Sequence, residues 1–441
     1  MSARDAVLAR GPAEFGWRVA IGLVRPLALL MAAPSVLFLA TLCAMLFRPP
    51  DLQFFALDRV ALGLLLALVA VRVMTLREPI PLNTPVLLPL AAITVMGLAD
   101  LLSGAYQVQC WSVFVAKWAS PLLLYVLAQS VFRDSGSMQR FETFALLVLA
   151  YLILMALFYL FSLDSLVWPR YILDPSLGIH FDRARGPFLQ AVANGVSLNL
   201  LGIVALNAFR RGRLKALPAM AFLLLLPLAV LATKTRGVWL SFLLSVILLF
   251  FFAAPARVRR ACGFLLLATT LGALAVLLLA RKSAALSDRL EESSPVEFRL
   301  AVYRTGWEML REKPILGWRG ASIRSELSRR IDGFHGREFV FHNSFLEVAV
   351  NHGLAGLALY LWVLVDLLRL GRKRAGRCLA HTFADLEFRS LWPVMVGVYA
   401  LNACFVVMNY QFVNGLVFTV AGILAAQDHF PASSQEAAPC R

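Results

Sequence analysis

Long runs of apolar residues follow one another along nearly the whole chain, each close to the ~20 residues that a helix needs to cross a bilayer. Because lipid offers no partners for open backbone groups, helices are the expected form of such segments. Only 15% of the residues are charged, against roughly 25% in soluble domains. The pattern predicts an all-α integral membrane protein with about twelve transmembrane helices. The predicted spans lie near residues 20–46, 54–73, 84–103, 111–131, 141–161, 188–209, 217–232, 238–256, 261–280, 345–368, 390–409 and 412–426.

The formal net charge of +16 would suit a nucleic-acid partner if the basic residues formed one binding face. They lie instead in short clusters between apolar runs, which is the pattern of loops retained in the cytoplasm. A nucleic-acid partner is therefore excluded, and both termini are predicted to lie inside. The clusters that set this orientation are Arg72 and Arg77; Arg133 and Arg140; Arg210, Arg211, Arg213 and Lys215; Arg257, Arg259 and Arg260; and Arg369, Arg372, Lys373, Arg374 and Arg377.

Motifs for metals, nucleotides and cofactors are missing from the sequence. The six cysteines are scattered, without a C-x-x-C or metal-ligand spacing. The first outer loop carries no D-x-D or E-x-D, and no P-loop occurs anywhere. These absences disfavour a metal-dependent transferase and an ATP-driven pump, so neither a metal nor a cofactor is expected.

One outer loop, residues 281–344, is long enough to fold as a small subdomain. Ser294 and Pro295 resemble a helix start, and Pro314 with Gly317 would end that helix. Apolar residues recur between them at an amphipathic spacing, namely Leu300, Tyr303, Trp307 and Leu310. The predicted division is residues 1–280 as helices 1–9, 281–344 as the periplasmic loop subdomain, 345–427 as helices 10–12, and 428–441 as a short cytoplasmic tail. The apolar stretch after the basic residues 1–18 is too long for a signal peptide, so it is predicted to remain as the first span.

Several basic side chains are predicted to lie on the outer side, where they could hold an anion. A very short outer loop, which also contains Lys234, fixes Arg236 near the membrane surface, so that Arg236 is either a phosphate clamp or a snorkelling anchor. Arg299 and Arg304 are five residues apart in the loop helix and need not share a face. Arg185 is a weaker candidate of the same kind.

His342 and Asn343 stand where the long loop meets the tenth span. A histidine in this place is often a packing residue, but its ordinary pKa of about 6.5 also suits a general base. Asn343 could cap the helix that follows. Lys117 and Glu347 fall inside predicted spans, where ionisable groups are costly and mark functional positions by default. His180 and His335 also fall in predicted outer loops.

These motifs resemble the O-antigen ligase and polymerase superfamily of polytopic glycosyltransferases. The strongest match is His342-Asn343 followed, after nine residues, by a G-x-x-G at Gly353 and Gly356. The run from Arg299 to Arg304, with Trp307, resembles the family's R-x3-W/Y helix, and Pro314–Gly317 resembles its P-I/L-L-G turn. The remaining matches are Thr235-Arg236-Gly237 to the S-R-G loop and Arg185-Gly186-Pro187-Phe188 through Asn194 to a weaker R-x-G-x-F…N motif.

The resemblance implies a GT-C-like membrane enzyme with its active site on the periplasmic face of a bacterial inner membrane. It implies a donor glycan on undecaprenyl diphosphate, a lipid A–core acceptor, and surrounding membrane lipids as partners. His342 would be the catalytic base, and Arg236 and Arg299, with Arg185 or Arg304, would bind the diphosphate. Asn343, Lys234, Gly353 and Gly356 would support the site. No metal or cofactor takes part, and the oligomeric state is left open.

Several alternatives remain open at the level of sequence. A polymerase of the same superfamily would use a second lipid-linked repeat as acceptor, and a protein O-oligosaccharyltransferase would use a Ser or Thr side chain. A transporter or flippase without chemistry is compatible with twelve spans and with Lys117 and Glu347. Matched broken helices in the two halves, which inverted-repeat transporters often show, are not apparent in the sequence.

Overall fold

The computed structural model describes residues 33–48, 57–77, 82, 84–104, 107–178, 181–280, 294–318, 323–331, 340–372 and 382–429. Within these ranges the chain forms helices and no strand. The α-helices are α1 Pro34–Leu46, α2 Leu57–Leu76, α3 Leu87–Ser103, α4 Val108–Val131, α5 Ser135–Leu160, α6 Ala191–Arg210, α7 Ala216–Ala232, α8 Arg236–Phe252, α9 Ala256–Ala280, α10 Ser294–Glu312, α11 Ile323–Arg330, α12 Ser344–Arg369, α13 Leu386–Ala403 and α14 Gln411–His429.

Each predicted apolar segment overlaps one of the helices α1–α9 or α12–α14. Four helices in the described part of the chain, namely α4, α5, α6 and α12, are long and apolar enough to cross a membrane on length and composition. The prediction of an all-α membrane protein is therefore confirmed, whereas the number of crossings and the division into domains stay predictions. Residues 20–32 of the first predicted span, His180, His335 and residues 430–441 lie outside the described residues.

Two helices, α6 and α14, form the centre of the helical bundle. Nearly every side chain of α6 up to Ala208 is buried, and the same holds for α14 from Gln411 to Gln427. A helix that is apolar on all sides is stable only when neighbours surround it, and α14 packs along α4 and α1. Peripheral helices expose large apolar side chains such as Leu88 of α3 and Leu217 of α7, as expected for surfaces that face lipid.

Ion pairs are concentrated at one end of the bundle. Arg210, at the end of α6, pairs with the capping residue Asp385 of α13, 2.6 Å away, and with Glu387. Arg211 pairs with Glu142 of α5 at 3.0 Å. These groups belong to the loops that the basic clusters assign to the cytoplasm. The opposite end of the bundle carries the starts of α8 and α12.

Helices α10 and α11 make up the described part of the long loop. Helix α10 begins at Ser294 and ends at Glu312, as the sequence predicts, because Pro295 fits a first turn and Pro314 cannot continue a helix. Arg330 of α11 forms ion pairs with Glu312, and also with Glu326 at 2.8 Å. The pair with Glu312 ties the end of α11 to the end of α10.

The predicted apolar face of α10 is only partly used for packing. Leu310 is buried, but Leu300 and Trp307 are 62% and 53% exposed. The packed face instead carries Val302 and Met309, which join the cluster formed with Leu327, Phe341 and Val350. The buried face of α10 differs from the predicted one because this helix has two apolar stripes along its length. The fold buries the stripe that faces α12.

Candidate functional site

His342 is held just outside the first turn of α12. Asn343 caps this helix, since its side-chain oxygen accepts from the backbone N–H groups of Phe345 (2.9 Å) and Leu346 (3.1 Å). His342 itself has a φ of +50°, in the left-handed region that non-glycine residues seldom adopt. Its side chain is half-buried. An uncommon backbone conformation persists only where the surroundings enforce it, and such residues concentrate at functional sites.

A short turn between α13 and α14, Cys404–Met408, fixes the start of α12. The buried hydroxyl of Ser344 donates to the carbonyl of Val406 and accepts from the N–H of Met408, both at 2.8 Å. The Tyr303 hydroxyl of α10 donates to the carbonyl of His342 (3.3 Å) and lies 3.5 Å from that of Cys404. No sequence motif marks this turn, so sequence reasoning missed it.

The same turn contacts the start of α8, where Arg236 lies. A Cβ atom placed on Gly237 would lie 3.2 Å from the Phe405 ring, so this ring packs directly on the first turn of α8. The three motifs at Arg236, at Tyr303 and at His342 are far apart in sequence and meet around Cys404–Met408. The structure therefore brings the starts of α8 and α12 together with the middle of α10.

Arg236 is the first residue of α8 and its side chain is exposed. A helix N-terminus attracts anions through its open N–H groups and its dipole, which adds to the guanidinium charge. Lys234 precedes it with a left-handed φ of +46° and donates to the carbonyl of Asp182 at 2.7 Å. Lys234 thus ties the loop 162–187 to the Arg236 turn.

The two arginines of α10 lie on different faces. Arg299 is half-buried and one helical turn before Tyr303, on the side that reaches His342. The Phe298 ring, next to it, stands edge-on to the His342 ring with centroids 6.3 Å apart. Arg304 is exposed and five residues further on, which turns it away from this side. The geometry therefore favours Arg299 over Arg304 as an anion-binding residue next to His342.

Arg185 has a structural role that conflicts with its predicted role in phosphate binding. Its side chain is fully buried, and its guanidinium donates to the carbonyl of Ile172 through Nε (3.0 Å) and Nη2 (2.9 Å). It also donates to the carbonyls of Asp174 and Leu177. Burial lowers the pKa of Arg185, and these carbonyls satisfy most of its donors. Arg185 therefore holds the loop 162–187 together, and its role in phosphate binding stays a prediction that these contacts disfavour.

Gly353 breaks α12 ten residues into the helix, and the turn 313–318 fills the break. Its φ of +67° and ψ of −169° interrupt the helical hydrogen bonds. The turn supplies replacements: Leu354 donates to the carbonyl of Pro314 (2.7 Å), and Trp318 donates to that of Val350 (2.9 Å). Backbone groups freed at the break thus find partners in the turn, and such replacement is how a membrane protein tolerates an interrupted helix.

Two glycines permit this close contact between backbones. A Cβ atom on Gly353 would lie 2.1 Å from the carbonyl oxygen of Ile315. One on Gly317, whose φ is +71°, would lie 2.6 Å from the carbonyl oxygen of Asn351. Gly356 faces the side chain of His352, which lies one turn earlier in α12. Gly353 and Gly317 therefore allow the turn 313–318 to pack directly on α12.

Two largely buried pairs of ionisable side chains lie along α12, beyond His342 and Asn343. Lys117 pairs with Glu347, and His352 Nδ1 lies 2.9 Å from Asp100 Oδ2. Lys117 sits in a π-helical turn of α4, residues 115–119, whose wider winding frees a backbone carbonyl. Lys117 and Glu347 were selected from the sequence as ionisable groups in spans, whereas Asp100 and His352 were missed because neither stands in a motif.

Residues 220–361 match a family model described as O-antigen ligase. The matched segment includes Arg236, Arg299, His342 and Gly353, and it begins after Arg185. No curated protein matches the chain.

Proposed function

We propose that this chain, whose residues 220–361 match a family model described as O-antigen ligase, is an O-antigen ligase of the bacterial inner membrane. It transfers a polysaccharide from undecaprenyl diphosphate to lipid A–core on the periplasmic face. The family match and the apolar helices support a ligase- or polymerase-type membrane enzyme. The specific reaction, the donor and the side of the membrane are our proposal.

The observation that carries the proposal is the convergence around Cys404–Met408. The elements that carry His342, Arg299 and Arg236 meet at this turn, which Ser344 of α12, Tyr303 of α10 and Gly237 of α8 contact directly. Helices α8 and α12 both begin at the side of the bundle opposite to the basic clusters, and α10 packs on α12. This is an arrangement of one base and two fixed cations at a membrane surface.

In the proposed reaction, His342 takes the proton from the acceptor hydroxyl as its oxygen attacks the anomeric carbon of the donor sugar. The bond between that carbon and the diphosphate oxygen breaks, and undecaprenyl diphosphate leaves with the electron pair. Direct displacement inverts the anomeric centre. Because the diphosphate is already an activated leaving group, the reaction needs no nucleotide outside the cell.

Arg236 and Arg299 stabilise the negative charge that develops on the leaving diphosphate. Fixed guanidinium groups do this without reorganising during the reaction, and arginine holds phosphate oxygens in a bidentate manner. Arg304 faces away from His342 and Arg185 is engaged with backbone carbonyls, so neither belongs to this pair. Lys234, Asn343, Gly353 and Gly356 shape the site through the contacts described above.

The test uses a deletion strain that carries wild-type protein or the variants His342→Ala, Arg236→Ala and Arg304→Ala. Lipopolysaccharide is separated on gels, and lipid-linked glycan is extracted in parallel. We expect rough lipopolysaccharide, with long polymer left on the lipid carrier, for the first two variants only. Arg304→Ala is the control, since it removes an exposed arginine of α10 that faces away from His342.

Other outcomes would assign a different function. Core capped by a single repeat would indicate a polymerase of the same superfamily. An unchanged ladder with loss of glycan from a periplasmic protein would indicate a protein O-oligosaccharyltransferase. Movement of lipid-linked glycan across the membrane without any new covalent linkage would indicate a flippase and overturn the proposal.

A further inference from the structure

The outer face of α10 carries an ordered set of exposed side chains that neither the fold nor the proposed reaction uses. Leu300 and Trp307, seven residues apart, form one row and are 62% and 53% exposed. The adjacent row, which begins at Glu297, carries the exposed side chains of Arg304 and Arg311. The Arg311 guanidinium carbon lies 5.5 Å from the centre of the Trp307 ring.

This face is ordered from apolar through basic to acidic. Beyond the arginine row, the next positions around the helix hold Glu308 and Glu312, which are exposed as well. The opposite side of α10 packs through Val302 and Met309. Covering the core does not require this order of side chains on the solvent side of a helix. Helices that lie in a membrane interface typically show such an order, with a tryptophan and leucine edge next to a basic edge.

The exposed apolar surface continues from α10 onto a helix suited to span the membrane. In the turn after α10, Ile315 is 70% and Leu316 is 47% exposed. This turn interlocks with α12 at Gly353, and on α12 large exposed apolar side chains begin at Leu354, which is 52% exposed. The preceding residues 344–353 are buried or half-buried. The turn therefore lies at the level where α12 first offers an apolar surface to lipid.

We infer that α10 rests in the headgroup layer of the leaflet nearest to His342, against phosphate-bearing lipids. Leu300, Trp307 and Ile315 reach the boundary of the acyl chains, and Arg304 and Arg311 bind lipid phosphates. The positive row complements anionic headgroups, and the apolar row continues the lipid-facing surface of α12. The face is thus covered by the membrane itself, which also holds Arg299 and Tyr303 at the depth where the phosphates of a lipid lie.

The test measures the fluorescence of Trp307 in the full-length protein, reconstituted in vesicles of phosphatidylethanolamine and phosphatidylglycerol. The Trp307 signal is the difference between wild-type protein and Trp307→Phe, an exposed and conservative change. Brominated lipid with bromine high on its acyl chain should quench this signal severalfold more strongly than aqueous iodide does. Bromine near the chain ends should quench it weakly.

A second variant, Arg304→Gln with Arg311→Gln, tests the basic row. It should weaken the lipid quenching of Trp307 and remove its increase with phosphatidylglycerol content. Quenching of Trp307 by iodide but not by brominated lipid would mean that α10 lies in water, and would overturn the inference. Protection from both quenchers would mean that protein, such as a second copy of the chain, covers the face, and would overturn it too. None of these readings requires glycan transfer, so the proposed reaction is tested separately.

Discussion

Replacing Ser344 with alanine should open the turn that joins the three site motifs. The Ser344 hydroxyl is fully buried and satisfies both the N–H of Met408 and the carbonyl of Val406, each at 2.8 Å. Ser344→Ala leaves two buried backbone groups without a partner, each at about 1–3 kcal/mol. A local penalty of about 2 kcal/mol shifts the equilibrium between the assembled and opened turn by about 30-fold.

The assay compares initial rates of glycan transfer with hydrogen exchange of residues 404–410. We expect transfer to fall at least tenfold in Ser344→Ala, together with faster exchange in this turn and little change in the amount of inserted protein. Ser245→Ala is the matched control, because that hydroxyl is also buried and lies 3.1 Å from Asn199 Oδ1, but within the bundle and away from the turn. Wild-type transfer by Ser344→Ala, with exchange in residues 404–410 unchanged, would refute the reasoning.

Three other perturbations have defined outcomes. Gly353→Ala places a Cβ atom 2.1 Å from a carbonyl oxygen, so thermal unfolding in detergent should shift downward, and transfer should drop more than tenfold. Lys117→Met leaves the carboxylate of Glu347 without its partner and should lower the free energy of unfolding by about 3–5 kcal/mol. Adding Glu347→Leu should restore most of the thermal stability. A double variant no more stable than the single one would contradict the pairing. The hydrogen bond with Arg330 lowers the pKa of Glu312 in the folded protein. This contact therefore stabilises α11 fully at pH values above the ordinary glutamate pKa of about 4.3. The stabilisation is lost as the pH falls through the lower pKa that Glu312 has in the folded protein. Hydrogen exchange of α11, corrected for the intrinsic pH dependence of amides, should therefore stay constant from neutral pH to about pH 5 and rise only in stronger acid; an Arg330→Gln variant should lose this dependence.

The sequence was sufficient to predict those features that a single segment determines by itself. The apolar runs coincide with helices, and α10 starts and ends at the predicted proline signals, because length, capping and proline act within a few residues. Asn343 caps α12 as the sequence predicts, for the same reason.

Features that depend on a distant partner were not predictable from sequence. Arg185 and Arg236 have the same side chain and both fall in predicted outer loops, yet one is buried among carbonyls and the other is exposed. The break at Gly353 exists only because the turn 313–318 replaces its hydrogen bonds. The turn Cys404–Met408 consists of ordinary residues, and its importance comes from the elements that pack on it.

The central claim is that His342 acts as the base in a transfer from a lipid diphosphate to a lipid-linked acceptor. The most direct measurement uses purified full-length protein with an undecaprenyl-diphosphate-linked glycan and lipid A–core in defined vesicles. Wild-type protein should form the glycosylated lipid with release of undecaprenyl diphosphate. His342→Ala, unfolding at the same temperature as wild type, should form it at least a hundredfold more slowly. Equal rates for the two proteins would contradict the account, as would a complete lack of transfer by the wild type to any acceptor.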